Sequence, residues 1–186
     1  MNRILAVRSA IYDQFHGSSA LSVIGQRGDD FAAYYTSMYL IQDTGEAVHQ
    51  HMANDFSADP WHAYLEFWGV MQAIIIQQDA ILELHRVVVG SVPTINPSSA
   101  WFRLRDTRNI CAGHPARRSY GVAGTQRAFM GRSFGNYDRV TYELWDANMP
   151  NPTHPSFNLR HMIEEYDREA SQIFSGVLTS MKSKWP

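Results

Sequence analysis

The strongest constraint on how this chain folds lies near its end. Leu159, Ile163, Tyr166, Ala170, Ile173 and Val177 recur at alternating intervals of four and three residues. With about 3.6 residues per helical turn, that spacing lays them along one seam of a single long helix. Such a seam is stable in water only when covered, by antiparallel helices of the same chain or by a partner helix. An all-α bundle is therefore expected.

Other stretches supply its remaining helices. A first is predicted over residues 3–15, ending at Gly17 and the small residues that follow. A second opens on Asp29 and Asp30, acids suited to a helix N-terminus, and carries Phe31, Tyr34, Tyr35, Met38 and Ile41 at helical spacing. It continues to about Asn54, with a kink allowed at Gly45. The third has Asp59 as N-cap, Pro60 in its first position and Val89 before a terminating Gly90. Trp61, Leu65, Trp68, Met71, Ile75 and Leu82 lie on nearly every side of it, the pattern of a central buried helix. A fourth is predicted over residues 99–112, after Pro93 and Pro97.

Beyond Pro115 the pattern changes. Gly121, Gly124, Gly131 and Gly135 break any helix, and Val140 to Trp145 alternates apolar and polar residues. With Gly135-Asn136 as a two-residue turn, one small hairpin over roughly residues 128–146 is expected. Residues 148–155, with three prolines, read as a connector. The expectation is one domain over residues 1–186: four or five helices, with an irregular or hairpin insertion over residues 116–152 before the long last helix.

Composition excludes several classes. At 186 residues, 45% apolar and 18% charged, the chain can bury a core and is not disordered. No apolar run approaches the ~20 residues that cross a bilayer, so no membrane association is expected. Arg3, Arg8 and Asp13 deny the first fifteen residues a signal-peptide core. A lone Cys111 excludes an intrachain disulfide and a multi-cysteine zinc site. A cytoplasmic protein is the expectation.

Charge is segregated. Residues 1–102 carry a net −6 and residues 140–186 a net −2, but residues 103–139 carry +6 through eight arginines. Arginine outnumbers lysine 14 to 2, and its planar fork suits bidentate contact with phosphate or carboxylate. The middle segment is the place to look for an acidic partner, unless its arginines pair with acids of the flanking helices.

Most catalytic signatures are absent: there is no phosphate-binding glycine loop, dinucleotide fingerprint or Gly-x-Ser-x-Gly elbow. His49 and His51 fall about 200° apart on a helix, and His62, His85, His154 and His161 stand singly, so no metal or cofactor is expected. The stretch that stands out runs from Trp101 to Pro115. Trp101, Leu104, Arg108 and Cys111 share an inward helical stripe, which sets the charge of Arg108 among apolar groups. A charge placed there has to meet an acid, such as Asp79 or Glu83, or a cleft or a subunit interface. Gly113 and Pro115 mark a helix end that lets His114 swing back toward Arg108.

Arg108-Asn109 followed by His114, with five residues between arginine and histidine, resembles the motif of the HEPN superfamily. The surrounding Leu104-Arg105-Asp106-Thr107 and Gly113-His114-Pro115, and the long closing helix, are similar to uncharacterised bacterial members. The resemblance implies a homodimeric, metal-independent endoribonuclease of toxin or defence type, in which a ribose 2′-hydroxyl attacks the adjacent phosphodiester and leaves a 2′,3′-cyclic phosphate. His114 would move the proton, Arg108 would hold the phosphate, and Asn109 would orient either group. Arg105, Arg117 and Arg118 would track a single-stranded RNA backbone, with aromatics such as Tyr120 stacking on bases. An antitoxin-like protein partner goes with that picture. The alternative is a non-catalytic helical dimer serving as a binding or scaffolding module.

Overall fold

The structure, a computed structural model, describes residues 1–119 and 124–186. Among these residues the chain forms six α-helices: α1 (Asn2–Gly17), α2 (Ala20–Gly25), α3 (Asp29–Asn54), α4 (Pro60–Val89), α5 (Ala100–Arg108) and α6 (Leu159–Lys184). The four long ones form where the apolar spacing predicts them, and their ends are set by local chemistry. Asp59 caps α4 by accepting from the backbone N–H of Trp61 and His62 at 3.0 and 2.9 Å. The His62 N–H, foremost, holds its carboxyl below the usual range. Gly90 closes α4 in the left-handed conformation, φ 92°. Asn158 caps α6 through the N–H of His161 at 2.7 Å.

The seam of α6 is covered from within the chain. Leu159, Ile163, Tyr166, Ala170 and Val177 are fully buried, with α1, α4 and α5 packed against this helix. Asp167 of α6 also caps α1, accepting from the N–H of Arg3 and Ile4 at 3.1 Å each. Most of the seam is thus covered within the chain, and Ile173 alone of its six residues is only partly buried.

Four expectations need correcting. The short α2 falls where only small residues were noted. Gly45 is not a break: α3 runs through it, and a Cβ there would lie 2.9 Å from Leu5 Cδ2 and 3.0 Å from Gln77 Nε2. The glycine marks where α3 approaches its neighbours most closely. α4 is not buried on every side: its second half exposes Asp79 and half-exposes Glu83 and Arg86. In its first half Trp61, Leu65 and Trp68 are 58%, 62% and 37% exposed.

The insertion holds more than one hairpin. Strands β1 (Arg118–Ser119), β2 (Thr125–Phe129) and β5 (Glu143–Asp146) form one antiparallel sheet. Strands β3 (Gly135–Asn136), β4 (Arg139–Thr141) and β6 (Ser156–Phe157) form a second. The pairing of Ala128 with Leu144 and Gln126 with Asp146 is the arm of the expected hairpin, but Gly135-Asn136 is not its turn. Those two residues pair with Val140 and Arg139 across a tighter turn at Tyr137-Asp138. Gly135 is required there: its φ is +110°, and a Cβ would collide with the Arg139 carbonyl oxygen. Met130, Phe134, Tyr137 and Val140 are buried and join the helical core. Tyr137 stacks on Phe56 at 4.5 Å, and its hydroxyl lies 2.7 Å from His51 Nδ1. The insertion is thus part of the folded body. No helix among the described residues is long and apolar enough to cross a membrane.

Candidate functional site

α5 is held firmly before it reaches the motif. Its first N–H, Ala100, donates to Glu169 of α6 at 2.8 Å, and the buried amide of Gln78 donates to the Trp101 carbonyl at 3.1 Å. Trp101, Leu104 and Cys111 are buried, as the inward stripe requires. Burial pushes the Cys111 thiol up to about 12, so it stays protonated and behaves as a small hydrophobe.

After Arg108 the helix widens into a π turn, Asn109–Gly113, closed by a hydrogen bond from the His114 N–H to the Asn109 carbonyl at 2.8 Å. The wide turn sets Arg108 and Gly113 one above the other. Arg108 folds over it, so that a Cβ on Gly113 would lie 2.7 Å from Arg108 Nη1. The guanidinium donates to Gln72 Oε1 at 2.9 Å and to Asn109 Oδ1 at 3.1 Å. Both acceptors are neutral amides. Asp79 is bound to Arg105 and Glu83 to Arg86, so neither expected acid meets Arg108, and no carboxylate among the described residues forms an ion pair with it. A half-buried cation is left without an ion pair among the described residues.

His114 is exposed and borders a small crevice with Ile110, Arg118, Gln126, Ala128 and Leu144. Arg108, Asn109 and His114 stand at one helix end, but the expected swing of His114 back toward Arg108 is not seen. Arg108 reaches α4, His114 borders the inner face of the β1–β2–β5 sheet, and no hydrogen bond joins the two among the described residues. The surrounding arginines divide. Arg105 pairs with Asp79, Arg118 with Asp106 and Arg103 with Glu165, as the ion-pair alternative anticipated. Arg117 is exposed and makes no ion pair among the described residues. Tyr120 and Gly121 lie outside the described residues.

Asn109 also lines a groove of about 680 Å³ between α5, β6 and the start of α6, floored by Phe102, Ile110, Tyr142, Phe157 and Met162. Its two arginines are Arg103 and Arg105, both already ion-paired. Gln72 is the participant that sequence reasoning missed. Its place in the row Trp61, Leu65, Trp68 and Gln72, spaced 4-3-4 along one face of α4, is visible in the sequence, but nothing there ties it to Arg108. Among the described residues no group of three or more His, Cys, Asp or Glu side chains is placed to hold a metal ion. No protein-family model, curated protein or solved structure matches the chain.

Proposed function

We propose that this protein is a metal-independent endoribonuclease of HEPN type that cuts single-stranded RNA, with Arg108, Asn109 and His114 as its site. One observation supports this most: the Arg108 guanidinium is held by two neutral amides, forms no ion pair among the described residues, and stems from the helix end that also carries an exposed histidine. A phosphodiester supplies the opposite charge, and its extra negative charge in a phosphorane-like transition state does so more strongly. The imidazole of His114 accepts the proton of the 2′-hydroxyl as that oxygen attacks phosphorus. The P–O5′ bond breaks, a proton returns to the leaving oxygen, and a 2′,3′-cyclic phosphate remains. Asn109 fixes the guanidinium through its carbonyl oxygen. Two copies sharing one cleft would provide one imidazole to accept the proton and a second to donate it.

The test is cleavage of a labelled single-stranded RNA by the purified protein in EDTA. Wild type should yield products ending in a 2′,3′-cyclic phosphate, and His114→Ala should lower the rate by ~10²-fold or more while the fold is kept, since the side chain is exposed. Cleavage that persists in His114→Ala, or that needs an added divalent metal, would refute the mechanism. The exposed Trp61, Leu65 and Trp68 favour a second reading, a non-catalytic helical dimer acting as a binding module. That protein would dimerise and leave the RNA intact.

A further inference from the structure

The outer face of the β1–β2–β5 sheet has an unusual composition for a surface. Arg127 pairs across the strands with Trp145, and Phe129 with Glu143, so these side chains share one face. Phe129 is 60% and Trp145 49% exposed. They sit diagonally on neighbouring strands, roughly 7 Å apart, within reach of aromatic side chains. The indole N–H of Trp145 donates to Glu143, which occupies that carboxylate and sets the angle of the ring. His154 Nε2 lies 3.5 Å from the same carboxylate.

The basic side of the face comes from the chain leaving the π turn. β1 pairs Arg118 with Gln126, and the pairing reaches back to the hydrogen bond from the Ala128 N–H to the Pro115 carbonyl at 2.8 Å. Arg117 lies between these two points. Arg117 directly precedes β1, and it and Arg127 are both exposed without an ion pair among the described residues. One residue before Pro115 stands His114.

We propose that this face is a platform for single-stranded RNA, with Phe129 and Trp145 stacking on bases and Arg117 and Arg127 contacting phosphates. Every base offers a π-face to such rings, whereas a duplex keeps its base faces stacked inside, so unpaired strands are the fitting ligand. Two exposed arginines, Arg117 and Arg127, outnumber the one carboxylate of the face, Glu143, and the excess positive charge matches a polyanion. Arg117 stands three residues from His114, so the basic side of the platform lies close in the chain to the π turn. Naming the bound strand the substrate rests on the ribonuclease reading; its binding does not.

The full-length His114→Ala protein, expected to cut RNA ~10²-fold more slowly, is the material for the binding test. It should bind a short fluorescein-labelled single-stranded RNA and bind the matching duplex much more weakly. Phe129→Ala and Trp145→Ala should each weaken binding by about tenfold. Trp145→Phe should retain the affinity and lose the quenching of indole emission that accompanies it. Arg117→Ala and Arg127→Ala should each reduce the slope of log affinity against log salt by about 0.7. Equal affinity in the Phe129→Ala Trp145→Ala double variant, equal binding of duplex, or no binding at all would overturn the platform. Wild-type protein incubated with the same RNA separates the two ideas. Binding through Trp145 without any cleavage keeps the platform and defeats the ribonuclease reading. Cleavage dependent on His114 but indifferent to Phe129 and Trp145 does the reverse.

Discussion

At the scale of single residues, the position of Arg108 depends on what residue 113 lacks. A methyl group there would sit 2.7 Å from Nη1 and 3.3 Å from Cζ, so Gly113→Ala must displace the guanidinium, the far end of a flexible side chain. The fold should tolerate this, since alanine is the better helix former by up to ~1 kcal/mol. Cleavage should drop by ~10-fold or more, because a misplaced charge no longer meets the transition state. Matched melting curves and RNA cleavage rates check it; an unchanged rate would mean that the place of Arg108 is immaterial. Arg108→Ala should likewise cost only about 1 kcal/mol in a urea titration, because it strands two amides and no acid. A stranded carboxylate would have cost ~3 kcal/mol or more. Arg108 and His114 were legible as a spaced pair, and Cys111 as a buried thiol, because stripe and helix end are local patterns. Gln72 was not, because 36 residues separate it from Arg108 and only the packing of α5 on α4 joins them. The π turn was equally hidden. One extra residue shifts the apolar stripe that follows it, but here the helix ends at Gly113 and no later turn displays the shift.

Among the elements, legibility followed length. α1, α3, α4 and α6 repeat their apolar spacing over several turns, and caps such as Asp59 and Gly90 fix their ends. β1, β3 and β6 have two residues each, too few to show alternation, and their partners are set by packing. Val140 finds Phe157 only because α6 brings residue 157 back beneath the insertion. Gly45 shows how a residue type misleads when its neighbours are unseen. Helix propensity alone predicts that Gly45→Ala stabilises α3 by up to ~1 kcal/mol. The structure predicts the opposite, since the new Cβ would press on Leu5 and on the Gln77 amide. That amide donates to the Ile41 carbonyl at 3.2 Å and to Thr44 Oγ1 at 3.3 Å, so moving it breaks buried hydrogen bonds. A net loss of about 1–3 kcal/mol is expected in chemical denaturation. A higher midpoint would show that α3 and α1 have room to separate.

For the whole molecule, the fate of the apolar seams decides where a second copy could sit. Five of the six residues in the α6 seam are buried inside the bundle, so most of that seam needs no second copy to cover it. The first half of α4 takes its place, because Trp61, Leu65 and Trp68 form an exposed row that leads to Gln72 and so to Arg108. Arg132 lies 4.2 Å over the Trp61 ring and borders the row with positive charge. Scattered exposed apolar residues are ordinary, but a row of large ones on one helix is the kind of patch that self-association covers. A two-fold axis across α4 would bury the same row from each copy and bring two Arg108–His114 turns to one basic cleft. Such an interface needs on the order of 1,200 Å² in total, more than α4 alone offers, so the adjoining insertion should take part. Light scattering should therefore report a dimer at micromolar concentration. Leu65→Asp should return it to a monomer with unchanged far-UV circular dichroism, since the side chain is 62% exposed and holds up no core. Cleavage should fall with the dimer, by a factor near that of His114→Ala, because a single copy has one imidazole for two proton transfers. A wild-type protein that is monomeric and still cleaves would leave one Arg108 and one His114 to complete the reaction alone, and the exposed row on α4 would need another occupant.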